Sequence, residues 1–360
     1  MLLGRTLFIN AKHPNATGAA VISDRNFKLI SESTTKIFRL SIDITLSDFK
    51  ANIFEVFFLR NLVKTYDINS ILKFIKDENI QCVFLDNSLF GNLAKEIKRN
   101  VPEVYILSFF HNVEYSYFKE LIKVSKKIHH WYTLLLVKKA ERQTIKYSNW
   151  LLALNNRDSA DIKMNYGKNV DIILPTTFSD QYDGVKSERV EAKSDILKLL
   201  FVGSYFPPNI FGIDWFIKNI MPSIKRQVQL YVVGSGFESH QIKNIQDNIK
   251  MVGAVHDLGE YYYLSDLIIA PIFHGSGMKT KVAEALMYNR PIFGTREAFE
   301  GYEIDITTIG SLCRDKFDFI KNIEEFEPSL YTGMRDAYLN NYSYETIRDK
   351  FIFFLNAEFE

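Results

Sequence analysis

Short apolar runs alternate along the chain with longer stretches in which apolar residues recur every three to four positions. In the first half, the short runs predict strands over residues 5–9, 36–40, 82–85, 104–108 and 150–154. The longer stretches predict helices over residues 19–29, 53–64, 69–79, 89–99 and 117–147. Strands that alternate with helices form mostly parallel sheets covered by helices, so the first half is predicted to be an α/β domain.

A second α/β set follows, with strands predicted over residues 197–202, 228–233, 249–252, 267–272 and 292–294. Between the two sets, residues 180–195 are polar and charged without periodicity, which is typical of a linker. We therefore expect one domain over residues 1–180 and a second over residues 181–341. A last aromatic-rich helix over residues 342–360 is expected to return toward the first domain.

The composition supports two buried cores, because the 360 residues are 47% apolar and 24% charged. Cys82 and Cys313 lack Cys-x-x-Cys spacing, which favours a reducing compartment and argues against a structural zinc. No run approaches the roughly 20 apolar residues of a membrane span, and the first ten residues do not resemble a signal peptide. We expect a cytoplasmic protein that can lie on the inner face of the cell membrane.

The net charge of +1 conceals an uneven distribution. Residues 1–180 hold 25 Lys and Arg against 18 Asp and Glu, whereas residues 181–360 hold 19 against 25. The segment Lys119 to Lys146 carries eight of the basic residues and two Glu, together with Trp131 and a leucine-rich strip. A basic amphipathic helix with an aromatic edge is typical of binding to an anionic membrane, and the alternative is a solvated face of a core helix.

The stretch 274–295 predicts a glycine turn, a helix and a strand, directly after the buried strand over residues 267–272. Glycines at the turn over residues 275–277 would let a ligand approach the free amides of a helix N-terminus. Lys279 or Lys281 would add positive charge there. Free amides at a helix N-terminus together with a lysine are typical of a site that binds a diphosphate.

Glu284 lies about two turns into the same helix and could hold a vicinal diol such as that of a ribose. The alternative is a turn that only permits close packing of strand and helix, with Lys281 and Glu284 as a surface ion pair. Spacing alone leaves both interpretations open, because a Gly-x-Gly turn in an α/β protein is a weak signal.

Three polar clusters follow predicted strands of the first half, at residues 10–18, 86–88 and 110–114. Ligands of parallel sheets bind at the carboxyl ends of strands. In the third cluster, His111 could hydrogen-bond a substrate hydroxyl or a phosphate, with Glu114 holding the ring in place. Equally open is a polar loop in which His111 caps the next helix.

An ordered set of motifs extends over residues 200–301: Phe201-Val-Gly-Ser204, Pro208-Asn209, Trp215-Phe216, Val232-Val-Gly-Ser-Gly236, Val252-Gly-Ala-Val-His-Asp-Leu258, Ser265-Asp266, Pro271, Gly275-Ser-Gly-Met-Lys279, Lys281, Glu284-Ala-Leu286, Arg290-Pro291, Gly294-Thr295 and Glu300-Gly301. This set resembles the nucleotide-sugar domain of family 4 (group 1) glycosyltransferases. The first half is a looser match, in which residues 17–18 and 110–115 look like acceptor-domain motifs of bacterial surface-polysaccharide members.

The resemblance implies the α/β GT-B fold, two facing Rossmann-like domains with a cleft between them. It implies a retaining transfer of a sugar from a nucleotide-diphosphate sugar to a glycan or lipid-linked acceptor, in the synthesis of a surface polysaccharide such as a capsule. Neither a cofactor nor a metal is implied, since no Asp-x-Asp or His/carboxylate cluster is present to hold an ion. Nucleic acid is not an expected partner.

The resemblance also assigns roles to residues. Catalytic roles are implied for His111, Lys279 and Lys281, and acceptor-side roles for Asn10, Asn112 and Glu114. The implied donor-binding residues are Gly18, Gly203, Ser204, Asn209, Gly234, Gly236, Val255, Gly275, Ser276, Gly277, Met278 and Glu284.

The sequence departs from the family pattern at two places. In the family two glutamates separated by seven residues flank the donor; Glu284 takes the place of the second, and Ser276 that of the first. The loop over residues 203–216 lacks the Arg and Lys that many members carry. Lys279 and Lys281 are therefore expected to supply the positive charge that binds the diphosphate.

Two other functional classes remain open at this point. A nucleotide-sugar epimerase can share the two-domain fold, although the residues at 110–115 and the ordered motifs count against it. A non-catalytic partner of another transferase is suggested by Ser276, and it would bind a nucleotide without turnover.

Overall fold

The computed structural model describes residues 3–12, 18–44, 61–125, 128–184, 195–240, 242, 246–275 and 277–359. The chain forms two compact units, one of residues 1–175 and 348–360 and one of residues 176–347. Helix α13 (Tyr344–Phe359) begins in the second unit and ends in the first. Of the expected linker, residues 185–194 lie outside the described residues.

The first unit contains a six-stranded parallel sheet whose strands occur in the order β2-β1-β3-β4-β5-β6. Its elements along the chain are β1 (Arg5–Ala11), α1 (Gly18–Glu32), β2 (Lys36–Ile42), α2 (Thr65–Asp77), β3 (Cys82–Asp86), α3 (Gly91–Asn100), β4 (Tyr105–Phe110), α4 (Glu114–Val124), α5 (Ile128–Tyr147), β5 (Trp150–Ala153), α6 (Asn156–Tyr166) and β6 (Ile172–Ile173). The strand order reverses direction between β1 and β3, which is where doubly wound sheets bind ligands.

Burial follows the apolar pattern of the sequence. Strand β3 is buried at all five positions, as expected for a central parallel strand covered on both faces. On α2 the buried residues Ile68, Ile71 and Ile75 recur at helical spacing, and they join one core with the sheet and with α3. Each buried aliphatic side chain of this kind contributes about 1.5–3 kcal/mol.

The second unit contains another six-stranded parallel sheet, in the order β12-β11-β10-β7-β8-β9. Its elements are β7 (Leu197–Val202), α7 (Pro207–Asn219), β8 (Val228–Val233), β9 (Ile249–Gly253), α8 (Gly259–Leu264), β10 (Leu267–Ala270), α9 (Thr280–Met287), β11 (Ile292–Gly294), α10 (Ile306–Ile309), β12 (Gly310–Leu312), α11 (Lys316–Glu324) and α12 (Met334–Asn341). Here the strand order reverses between β7 and β10. The predicted α/β fold with two parallel sheets is confirmed.

Two helix predictions need correction. The single helix predicted over residues 117–147 is two helices, α4 and α5, and Ser125 after α4 has extended backbone (φ −105°, ψ 100°). A helix of that length would extend about 45 Å, whereas α4 and α5 pack against each other, so the chain has to turn between them. Of the helix predicted over residues 53–64, residues 53–60 lie outside the described residues, and residues 61–64 are not helical.

Candidate functional site

The glycine turn of the second unit joins the buried strand β10 to helix α9. Gly275 (φ 146°) and Gly277 (φ 68°) have positive φ angles that favour glycine, and Ser276 lies outside the described residues. Met278, the last residue of the predicted donor turn, is buried. The two glycines of the turn therefore both adopt a backbone conformation that favours glycine.

Two further loops, after β7 and β8, approach each other through backbone contacts. Gly203 N donates to Val233 O (3.0 Å), and Gly234 N donates to Gly253 O (2.8 Å). A Cβ atom on Gly234 would lie 1.8 Å from Gly203 O, so no larger residue fits without displacement of the backbone. The carboxyl ends of β7, β8 and β9 are thus held together.

The other donor candidates lie around these loops. A Cβ atom on Gly236 would lie 2.4 Å from Tyr205 Cβ, which keeps the loop after β8 close to the loop after β7. Ser204 and Val255 are half-buried, and Ser204 O accepts a hydrogen bond from Asn209 Nδ2 (2.9 Å). The structure therefore brings the predicted donor residues of these two loops together.

Lys281 on α9 connects that helix to the loop after β7. Its side chain is buried, its Nζ donates to Asn209 Oδ1 (2.9 Å), and the ammonium lies 4.4 Å from the centroid of the Phe201 ring. Burial lowers the pKa of Lys281 to about 7, with the nearby charge of Lys279 lowering it further and Glu284 raising it. A bound anion would favour the charged form of this group.

Glu284 is half-buried one turn further along α9. Its Oε2 accepts a hydrogen bond from Tyr262 OH (3.2 Å). Burial raises the pKa of Glu284 to about 7, while the hydrogen bond from Tyr262 and the charge of Lys281 lower it. The alternative of a surface ion pair is wrong: Lys281 is only 6% exposed, and both side chains bond neutral groups of other segments.

Lys279, at the start of α9, is paired with a residue that the sequence analysis missed. Its Nζ lies 2.8 Å from Glu297 Oε1 and also donates to Gly277 O (2.8 Å). Tyr302 OH donates to Lys279 O (2.7 Å). Glu297 follows β11, and its position after the carboxyl end of a parallel strand was the signal that could have identified it.

In the first unit, the carboxyl ends of β3 and β4 bring Asp86 and His111 together. Asp86 is completely buried, and its Oδ1 lies 3.1 Å from His111 Nε2. The same oxygen accepts a hydrogen bond from Asn26 Nδ2 on α1 (2.7 Å). The sequence suggested Glu114 as the residue that holds His111, whereas the structure places the Asp86 carboxylate at hydrogen-bond distance from the ring.

The remaining candidates of the first unit have varied surroundings. Asn10 is buried, and its Oδ1 accepts from Ser41 Oγ (3.0 Å), which uses the amide to connect β1 to β2. Gly18 begins α1, and Asn112 is half-buried. Burial raises the pKa of Glu114, while a hydrogen bond from Asn112 and the charge of His111 lower it.

Within the described residues, no group of three or more His, Cys, Asp and Glu could hold a metal ion. Cys82 and Cys313 are both free and buried. Of the helices that the structure describes, none has both the length and the apolar character needed to cross a membrane.

Residues 197–325 match the family model described as "Glycosyl transferases group 1". None of the curated protein sequences compared with this chain matches it significantly. Among solved structures, sucrose-phosphate synthase from Thermosynechococcus elongatus is similar with a TM-score of 0.73 at 13% identity, covering 99% of each chain. Anabaena Alr3699/HepE in complex with UDP has a TM-score of 0.69 at 10% identity, covering 98% of this chain and 100% of that one.

The apo form of the lipopolysaccharide outer core galactosyltransferase WaaB is also similar, with a TM-score of 0.65 at 12% identity, covering 98% of this chain and 99% of that one. At sequence identities this low, structural similarity shows a shared fold. Residues 197–325 thus carry a glycosyl transferases group 1 domain, and the chain as a whole has the two-domain α/β fold of GT-B glycosyltransferases.

Proposed function

We propose that this protein is a retaining glycosyltransferase that moves a sugar from a nucleoside diphosphate sugar to a hydroxyl of a glycan or lipid-linked acceptor. The observation that carries the proposal is the buried Lys281, held by Asn209 between two glycine-rich turns of a group 1 domain, one turn from Glu284. A cation and a carboxylate in these positions suit a diphosphate and a ribose diol, respectively. The Anabaena protein of the same fold binds UDP.

In the proposed reaction, the bond between the anomeric carbon and the β-phosphate oxygen breaks while the acceptor oxygen bonds to that carbon from the same face. The acceptor proton passes to the departing phosphate oxygen. Amides at the turn around Gly277, together with Lys279 and Lys281, stabilise the charge that develops on the diphosphate. We propose that this side-chain charge suffices without a metal ion. His111 contacts the sugar or a phosphate.

The proposal includes peripheral attachment to an anionic membrane in the course of surface polysaccharide synthesis. On α5 the exposed residues Trp131, Leu135, Arg142 and Lys146 recur at spacings of four and seven, which places them on one stripe. Trp131 and Leu135 form its apolar half, which can insert at the boundary between lipid headgroups and acyl chains. Arg142 and Lys146 form its basic half, which attracts anionic headgroups. Lys126 and Lys127, which belong to the same basic segment, lie outside the described residues.

The reaction is tested by comparing Lys281→Met with Lys250→Met, the same change at an exposed lysine on β9 of the same unit. We expect Lys281→Met to lower turnover about 100-fold or more and donor affinity much less, because stabilisation of a leaving group acts mainly in the transition state. Lys250→Met should retain full turnover. A screen of nucleoside diphosphate sugars with and without acceptor supplies the assay.

Three results would contradict the proposal. Formation of an epimer from the donor alone would indicate an epimerase, and nucleotide binding without turnover would indicate a non-catalytic partner. Equal sedimentation with anionic and neutral vesicles, independent of salt, would remove the membrane part, because electrostatic attachment weakens as salt screens charge.

A further inference from the structure

A second carboxylate in the first unit, Glu141 on α5, is completely buried where three segments meet. Its Oε1 accepts hydrogen bonds from Ser88 Oγ (3.1 Å) and from the backbone N–H of Glu114 (2.8 Å). Its Oε2 accepts from the backbone N–H of Tyr115 (3.2 Å) and from Tyr166 OH (2.6 Å). Four donors therefore surround the two oxygens, which compensates for the burial of the carboxylate.

Helix α4 has no cap from its own sequence. Its N-cap residue, Val113, is apolar and buried and makes no side-chain hydrogen bond to the helix. The first amides of a helix need acceptors from outside the helix, and leaving them unsatisfied when buried is costly. Glu141 supplies an acceptor for two of them, and in its ionised form its negative charge interacts favourably with the positive end of the helix dipole. The start of α4 is thus fixed from α5.

The same contacts hold both segments that carry the pair formed by His111 and Asp86. Glu114 lies three residues after His111, and Ser88 lies two residues after Asp86. Thr144, about one turn further along α5, donates a second hydrogen bond to this region, from its hydroxyl to Ser88 O (2.6 Å). Helix α5 therefore holds the loop after β3 and the loop after β4 in one fixed arrangement.

We propose that Glu141 is a positioning residue, which fixes the loop after β4 against the loop after β3 and thereby sets the placement of the His111 ring on Asp86. The inference rests on the proposed function only in that His111 takes part in sugar transfer. Loss of the carboxylate should affect transfer rather than nucleotide binding, because Lys281 and Glu284 belong to the second unit.

The change Glu141→Gln keeps the size of the side chain but replaces one acceptor oxygen with a donor. That NH₂ group would face two of the four donors, whichever way the amide is turned. Burial raises the pKa of Glu141 to about 8, while the hydrogen bond from Tyr166 lowers it and the charge of Glu114 raises it. The variants are therefore compared at about pH 9, where both oxygens of the ionised wild-type side chain accept hydrogen bonds. Tyr166→Phe removes a single donor from the same carboxylate and is the milder variant.

The experiment uses the full chain with isotope-labelled histidine, in which the His111 ring signals are assigned by their loss in His111→Gln. In Glu141→Gln we expect the His111 signals to shift or broaden while those of the other histidines stay unchanged. Turnover should fall about 10- to 100-fold, the range expected for a displaced active group. The affinity for a nucleoside diphosphate should fall much less than turnover, since the contacts of Lys281 and Glu284 are not altered.

The matched control is Asp171→Asn, a carboxylate-to-amide change at the residue before β6, where Asp171 Oδ2 accepts from Leu151 N in β5 (2.7 Å). It should leave the His111 signals and turnover unchanged. Unchanged His111 signals in a folded Glu141→Gln protein would overturn the inference. If Glu141→Gln does not fold, the same comparison with Tyr166→Phe decides. A wild-type protein that neither binds nucleotide nor transfers sugar would end the proposed function, while the histidine signals would still decide the role of Glu141.

Discussion

The carboxyl ends of the two sheets are constructed in different ways. In the first unit, polar side chains bond one another: Asp86 accepts from Asn26 and lies beside His111. In the second unit, glycines bring backbone segments into contact, and the charged side chains of Lys281 and Glu284 bond neutral groups. The first arrangement holds its own polar groups in place, whereas the second leaves the charges of Lys281 and Glu284 to be compensated by a ligand.

The pKa values of the second site show the physical consequence. Burial moves the pKa of Lys281 down and that of Glu284 up, each to about 7, because neutral partners do not offset the loss of water around a charge. Strongly shifted values of this kind are typical of binding sites, in which a ligand supplies the missing interactions. The arrangement of the first site is fixed by hydrogen bonds between side chains. The second site is formed by closely packed backbone segments and by two side chains whose charged forms a ligand would stabilise.

The largest expected effect is on the backbone contact of the second unit. Gly234→Ala would place a Cβ atom 1.8 Å from Gly203 O, and we expect it to lower the free energy of unfolding by about 3 kcal/mol or more. Gly167→Ala is the matched control, because that glycine has φ 71° but no atom within 4 Å of the added Cβ; it should cost about 1 kcal/mol. Denaturant unfolding monitored by tryptophan fluorescence measures both changes, because the first unit contains Trp131 and Trp150 and the second contains Trp215. Equal losses would mean that backbone strain, not contact, governs Gly234.

The next effect concerns nucleotide affinity. Glu284→Gln should weaken the binding of a nucleoside diphosphate by about 1.5–3 kcal/mol, because a carboxylate that holds a ribose diol loses charge-assisted hydrogen bonds. Asp86→Asn, the same type of change at the first site, should leave that affinity within about twofold. Titration calorimetry of both folded variants makes the comparison. Similar losses in the two would contradict the division of roles between the sites.

The smallest effect is on stability as a function of pH without nucleotide. The raised pKa of Glu284 means that the folded protein binds more protons than the unfolded chain between pH 4.5 and about 7, so this group lowers stability as pH rises through that range. The lowered pKa of Lys281 means that the unfolded chain binds more protons between about 7 and 10.5, so this group restores stability as pH rises further.

The two groups together should produce a minimum in their contribution to stability near pH 7. Its depth should be about 1–2 kcal/mol, less than the full pKa shifts correspond to, because solvent screens the half-buried Glu284. When the free energy of unfolding is plotted against pH, Glu284→Gln should remove the decrease below pH 7, and Lys281→Met should remove the increase above pH 7. Denaturant unfolding between pH 5 and 9 measures both curves. Parallel curves for wild type and the two variants would show that neither charge is desolvated in the folded protein.

Much of the architecture followed from local patterns in the sequence. Apolar runs and helical spacing predicted the parallel strands and most helices, because burial on both faces of a sheet imposes that composition on each segment separately. The turn around Gly275 was predictable for the same reason, since positive φ angles restrict the residue type locally. The family resemblance over residues 200–301 added the roles of the motif residues, which spacing alone left open.

The break between α4 and α5 did not follow from local pattern, because the packing of one helix on the other decided it. The partners of the charged residues were equally hidden. His111 contacts Asp86, 25 residues away, Lys281 contacts Asn209, 72 residues away, and Glu141 caps a helix that begins 27 residues earlier. Sequence determined which side chains carry charge and which elements hold them. Only the strand order of each sheet decided which of those side chains meet, because hydrogen bonds and desolvation act over a few ångströms of space and not along the chain.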